Sequence, residues 1–144
     1  MSETPERVRE IMQAVGNMHV LATVDAEGAP RMRWMGALVE DPQTPWTFYL
    51  ACGVGSRKLQ ELAQNDHAEL LFSQTERWHV ASLSGTAEAV DSPELRQLLW
   101  DSVPGMRQYY SGVDDPKMAI IRFTTRCMEV LAMDESREPY CFEL

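Results

Sequence analysis

What most constrains this chain is its rhythm of short, apolar, strand-like runs broken by turn residues. Residues 18–24 (MHVLATV) are rich in β-branched and apolar side chains. Residues 25–30, with Gly28 and Pro30, read as a hairpin connection, and residues 31–40 (RMRWMGALVE) as the returning strand. A second turn at residues 41–45 leads into residues 46–51 (WTFYLA). Residues 67–74 (HAELLFSQ) and a long run over 78–90, with Gly85 in its middle, follow after a short helix. Residues 118–123 and 127–133 close the series as two strands, before a tail ending in Phe142. Hairpin-joined runs of this length predict a mainly β fold, an antiparallel barrel of six or so strands rather than a βαβ sheet.

Helical spacing marks the periphery. Over residues 5–17 the apolar side chains Val8, Ile11, Met12 and Val15 form an i, i+3, i+4, i+7 stripe. Thr4 is the expected N-cap, Pro5 the first-turn residue and Gly16-Asn17 the stop. A short helix over 56–64 is expected to bury Leu59, Leu62 and Ala63. A third opens at Ser92-Pro93-Glu94 and runs through Leu95, Leu98, Leu99 and Trp100, with a helical piece near 106–110. No repeat, low-complexity tract or linker divides residues 1–144, so one domain is expected.

Charge and composition narrow the function classes. A net charge of −9 repels a phosphodiester backbone and disfavours nucleic acid as a partner. Thirteen Lys and Arg residues can still cluster around one small phosphate. No apolar run approaches the ~18–20 residues that span a bilayer, so no membrane partner is expected. The polar, acidic N-terminus is unlike a secretory signal, and a cytoplasmic location is expected. Three cysteines, Cys52, Cys127 and Cys141, show no metal spacing and are expected to be reduced thiols.

The chemistry-bearing stretch is Ala51-Cys52-Gly53-Val54-Gly55-Ser56-Arg57-Lys58-Leu59. A strand ends, a glycine loop turns, and a helix opens with a hydroxyl and two cations. Cations are mildly unfavourable at a helix start, by about 0.3–1 kcal/mol each, and make more sense around a bound phosphate. An N-capping Ser with two solvated side chains fits the spacing equally well. Neither a Walker loop nor a Rossmann fingerprint is present. In the run Arg31-Met32-Arg33-Trp34-Met35, alternation sets Arg31, Arg33 and Met35 on one face and Met32, Trp34 and Gly36 on the other. Arg33 is then placed for an anionic or carbonyl-rich edge, or is simply a surface arginine. Trp78-His79-Val80 offers an aromatic beside an imidazole, suited to a planar ligand or to an interface. His19 and His67 begin strands and are expected to be structural. No catalytic residue and no metal site is assigned.

These segments, in this order, resemble the pyridoxamine 5'-phosphate oxidase-like flavoproteins of the FMN-binding split-barrel fold, general-stress-protein branch. The carriers are Leu21-Ala22-Thr23-Val24, Gly28 and Pro30, Arg33, Phe48-Tyr49 and Gly55-Ser56-Arg57-Lys58. Ala68-Glu69-Leu70-Leu71-Phe72 and Ser84-Gly85-Thr86-Ala87-Glu88 complete the series. The resemblance implies a six-stranded split barrel and a homodimer with FMN at the subunit interface, FAD being a possible substitute. It assigns the phosphate to Arg57 and Lys58 with Ser56 beside them. It runs Arg33, Trp34, Met35 and Gly36 along the flavin, and brings Ala51 and Cys52 against it. It brings His79 and Val80 from the other subunit, with Trp46 or Trp78 available for dimer contact.

The implied activity is that of an oxidoreductase or flavin reductase, with NAD(P)H as a candidate electron donor. A non-catalytic flavin-binding or stress-response module, or a barrel that binds haem (through His79) or a deazaflavin, are the alternatives. Three departures separate the chain from the true oxidase. Leu38 stands where the oxidase has a substrate-phosphate Lys, and Val80 stands near its flavin-contacting Gln. Residues 133–140 hold no match to its substrate-binding Arg and His. The resemblance therefore extends to fold and cofactor but not to pyridoxamine phosphate as substrate.

Overall fold

The computed structural model describes residues 3–16 and 18–143. Six strands carry the fold: β1 (His19–Val24), β2 (Pro30–Met35), β4 (Thr47–Gly53), β5 (His67–Gln74), β6 (His79–Val90) and β7 (Met118–Leu131). Two-residue strands β3 (Val39–Glu40) and β8 (Tyr140–Cys141) pair at their margins. All pairings are antiparallel, in the order β2-β1-β5-β6-β7-β4-β3, with β8 on β7. The sheet does not close. It is a mainly β split barrel with helices α1 (Thr4–Val15), α2 (Arg57–Gln64) and α3 (Pro93–Ser102) at its periphery. No described helix is long and apolar enough to cross a membrane.

Strand alternation fills the interior. Leu21, Phe48, Leu50, Leu70, Phe72, Leu83, Ile121, Phe123 and Met128 point inward and are sealed by Val8 and Ile11 of α1 and Leu62 of α2. β4 is buried on both faces: Phe48 and Leu50 enter this core while Tyr49 packs outside it. There Tyr49 meets Leu99 of α3, Met106 of the 3₁₀ turn Pro104–Gln108, and Met118 and Ile120 of β7. A strand covered on both sides reads as a continuous apolar run, as residues 46–51 do.

The structure revises several boundaries. The expected strand over 31–40 is broken, because β2 pairs with β1 at one margin of the sheet and β3 pairs with β4 at the other. The two expected strands 118–123 and 127–133 are one strand, β7, with a bulge: Ser84 faces Cys127 while Gly85 faces Thr125. Gly85 is there because Thr124 passes over it, and a Cβ would lie 1.9 Å from the Thr124 carbonyl oxygen. Thr4 is not the cap of α1. It is the first helical residue after Glu3, and its hydroxyl donates to the Glu138 carbonyl at 2.7 Å. Gly16 ends α1 at φ 80°, the left-handed region that glycine tolerates, and Asn17 lies outside the described residues.

Two further expectations are overturned. Cys127 and Cys141 are not reduced thiols; they form a disulfide, because the β7–β8 register sets them directly opposite each other. Cys52 is the free, buried cysteine. Trp46 is not on the barrel exterior. Its ring is buried in the core, covered by the Arg9 guanidinium at 4.1 Å and flanked by Phe142. Trp78, by contrast, is exposed, as are Met32, Trp34, Leu131 and Met133.

Candidate functional site

The glycine loop forms as its sequence requires. β4 ends at Gly53, the Val54 amide donates to the Lys117 carbonyl at 2.9 Å, and Ser56 enters α2 from extended backbone at φ −67°, ψ 134°. Ser56 holds the N-cap position but its side chain caps nothing. Its Oγ instead accepts from Lys58 Nζ at 2.6 Å. The first amides of α2 are left without a side-chain cap, and such amides favour an anion.

Three cations gather at this helix. Arg57 and Lys58 stand in its first turn, and Arg33 reaches it from β2. Arg33 Nη1 donates to Thr23 Oγ1 at 2.7 Å, and its Nη2 reaches Glu61 Oε1 at 3.0 Å. Thr23 donates to the same Glu61 oxygen at 2.7 Å, while Arg57 Nε lies 3.2 Å from Glu61 Oε2. Burial pushes the Glu61 carboxyl up, but hydrogen bonds from Thr23 and Arg33 and the charge of Arg57 outweigh it and hold the group ionised. Burial pulls the Lys58 ammonium down, and the charge of Arg33 adds to that. Burial pushes the Cys52 thiol up, opposed by Lys58. Tyr110 also borders Cys52, its hydroxyl raised by burial and by that neighbour.

The expected site residues thus fall into three groups. Arg33, Cys52, Ser56, Arg57 and Lys58 converge on the β4–α2 loop, with Ala51 half-buried on β4 beside them. Met35 is buried in the core, Trp34 is exposed on the opposite face of β2, and Gly36 begins the break between β2 and β3. His79 and Val80 lie elsewhere in the same chain, at the far end of β6 from Val90, which pairs next to the β4 loop through Ile120. His79 is buried: Arg7 Nη2 donates to its Nδ1 at 2.8 Å, and its Nε2 faces Asp134 at 2.9 Å. An arginine cannot accept, so Nδ1 is the acceptor in this contact and Nε2 is the nitrogen turned to the Asp134 carboxylate.

Sequence reasoning missed Glu61. Helical spacing from Leu59 suggested Leu59, Leu62 and Ala63 as the buried face of α2. The structure buries Glu61 and Leu62, half-buries Leu59 and leaves Ala63 exposed. The available signal was the i, i+4 pair Arg57–Glu61, which marks a carboxylate on the cationic face of the helix.

The fold and this loop define the class. A model of the pyridoxamine 5'-phosphate oxidase family matches residues 4–131, and the chain belongs to that family. Among solved structures, a Clostridium acetobutylicum protein related to general stress protein 26 superposes with a TM-score of 0.81 at 21% identity, covering 96% of this chain and 94% of that one. A pyridoxamine 5'-phosphate oxidase-related, FMN-binding protein of Nostoc punctiforme gives 0.69 at 14%, covering 94% and 83%. A haem-binding protein of Mycobacterium smegmatis gives 0.75 at 18%, covering 96% of this chain and 57% of that one. No curated protein matches significantly.

Proposed function

We propose that this protein is an FMN-binding oxidoreductase in which the start of α2 holds the cofactor phosphate. The observation that carries the reading is the uncapped helix start ringed by Arg33, Arg57 and Lys58. Charge-assisted hydrogen bonds from such donors contribute about 1.5–3 kcal/mol each. Bound FMN supplies hydride or electron transfer at its ring system. The chain's own part is to fix the phosphate with Ser56, Arg57 and Lys58, to orient the cofactor along residues 33–36, and to wall it with Ala51 and Cys52. Leu38 stands where the true oxidase has its substrate-phosphate Lys, and residues 133–140 hold no match to its substrate-binding Arg and His. The substrate in this reading is therefore other than pyridoxamine phosphate, and NAD(P)H is the donor to try first.

The reading includes a homodimer and a cytoplasmic setting. Met32, Trp34, Leu71 and Leu131 share the outer face of the sheet by register and alternation, and three of the four are exposed, as is Met133 just beyond β7. An apolar face of that kind suits a second copy of the chain. Haem is the weaker reading. It would draw on His79 as axial ligand, and both ring nitrogens of His79 are already engaged by Arg7 and Asp134.

An absorbance spectrum after FMN loading and gel filtration tests the proposal. Flavin bands near ~375 and ~450 nm are expected in the wild type and absent in the Arg57→Ala/Lys58→Ala double variant. The same column is expected to give twice the chain mass. A wild type that elutes without flavin overturns the reading.

A further inference from the structure

The cations at the start of α2 are not independent of one another, because one buried carboxylate touches two of them. Glu61 is 5% exposed, yet it sits one helical turn into α2 on the face where an apolar residue would serve packing better. Its Oε1 takes Arg33 Nη2 and the Thr23 hydroxyl, and its Oε2 lies against Arg57 Nε. The same Thr23 hydroxyl oxygen accepts from Arg33 Nη1, so Arg33 is gripped at both terminal nitrogens.

We infer that Glu61 is a positioning residue for phosphate recognition: it hydrogen-bonds Arg33 of β2 and pairs with the largely exposed Arg57 of α2, and so holds two cations from different elements against the first turns of the helix. The inference rests on the FMN reading. Two long arginine side chains from different elements would otherwise lose rotamer freedom when a phosphate arrives, a cost that a preset carboxylate removes beforehand. Charge balance points the same way. Arg33, Arg57 and Lys58 against Glu61 leave two net positive charges, the complement of a phosphate monoester dianion. Were Glu61 only a competing anion, its removal would tighten phosphate binding; as a positioning group, its removal loosens it.

The test compares FMN with riboflavin, which lacks the phosphate, by quenching of flavin fluorescence on the full chain. The wild type is expected to prefer FMN. Glu61→Gln keeps the side-chain volume, and is expected to narrow that preference about tenfold while leaving riboflavin affinity unchanged. A purely structural role would weaken both ligands together. Thr23→Val removes the hydroxyl that steadies Oε1 and Arg33, and is expected to narrow the ratio by a smaller factor. It decides the question alone if Glu61→Gln does not fold. An unchanged or widened FMN preference in the folded variants overturns the role of Glu61 while the FMN reading stands. A wild type that does not distinguish the two flavins overturns the phosphate site, and the inference with it.

Discussion

At the scale of single residues, the sharpest constraints are places where one atom more cannot fit or one charge has to be answered. Gly85 is the first kind. A Cβ there would lie 1.9 Å from the Thr124 carbonyl oxygen and 3.1 Å from the Arg126 amide nitrogen, both backbone atoms that cannot swing aside. Gly85→Ala is expected to cost about 3 kcal/mol in urea unfolding, and an unchanged urea midpoint would show that β7 moves aside freely. The sequence exposed Gly85 as an oddity inside a strand, but not its reason, since the clash comes from a strand forty residues away. Glu61 is the second kind. Its charge answers Arg33, a residue on a different element, and no local pattern encodes that pairing. Arg57, Lys58 and Ser56 were legible because their signal is local: a loop, a helix start and cations in consecutive positions.

Among the elements, α1, β1, β4, β5, β6 and α3 were readable because each carries its own periodicity and is bounded by turn residues. β8 was not. Two residues have no period, and the pairing of Tyr140–Cys141 with Cys127 and Met128 is fixed only by tertiary packing. That short strand nonetheless anchors a strap. The tail beyond β7 supplies Glu135 to Arg7, Arg137 to Glu3, Glu138 to Thr4 and Asp134 to His79, so it ties the start of α1 to the barrel. The Phe142 amide continues the pairing by donating to the Arg126 carbonyl at 2.9 Å. The Cys127–Cys141 disulfide closes a loop with a sequence separation of 14. Loops of that size are associated with about 3 kcal/mol of stabilisation. Urea unfolding in dithiothreitol, or of Cys141→Ser, is therefore expected to show a lower midpoint than the oxidised wild type. Coincident curves would mean that the ion pairs and Phe142 hold the strap without the bond.

The whole molecule carries a net charge of −9, and its acidic groups are not spread uniformly over a passive surface. Several are placed where they accept hydrogen bonds that are stronger while they are ionised. The Ala29 amide and Arg31 lower Asp25, the Tyr49 hydroxyl lowers Asp41, the Ser111 amide lowers Asp115, and Arg137 with Arg7 lowers Glu135. Glu40 and Glu61 are pushed up by burial but end below their usual value, through Arg9 for the first and Thr23 with Arg33 for the second. In each case the folded state binds its proton more weakly than the unfolded chain, whose values lie at 3.8 for Asp and 4.5 for Glu. Stability from these groups is thus complete above about pH 5.5, and disappears as pH falls through the lower, folded values. Mutual repulsion among the excess carboxylates acts in the opposite direction, because protonation relieves it. It is a diffuse surface effect that salt screens, whereas the groups named here are held by contacts within hydrogen-bond distance. The local contacts are expected to win. The thermal midpoint should be level between about pH 6 and 8 and drop steeply below about pH 4.5, with added salt raising the neutral plateau more than the acid limb. A midpoint that rises or stays level down to pH 3 would mean that repulsion, rather than the placed carboxylates, governs the stability of the barrel.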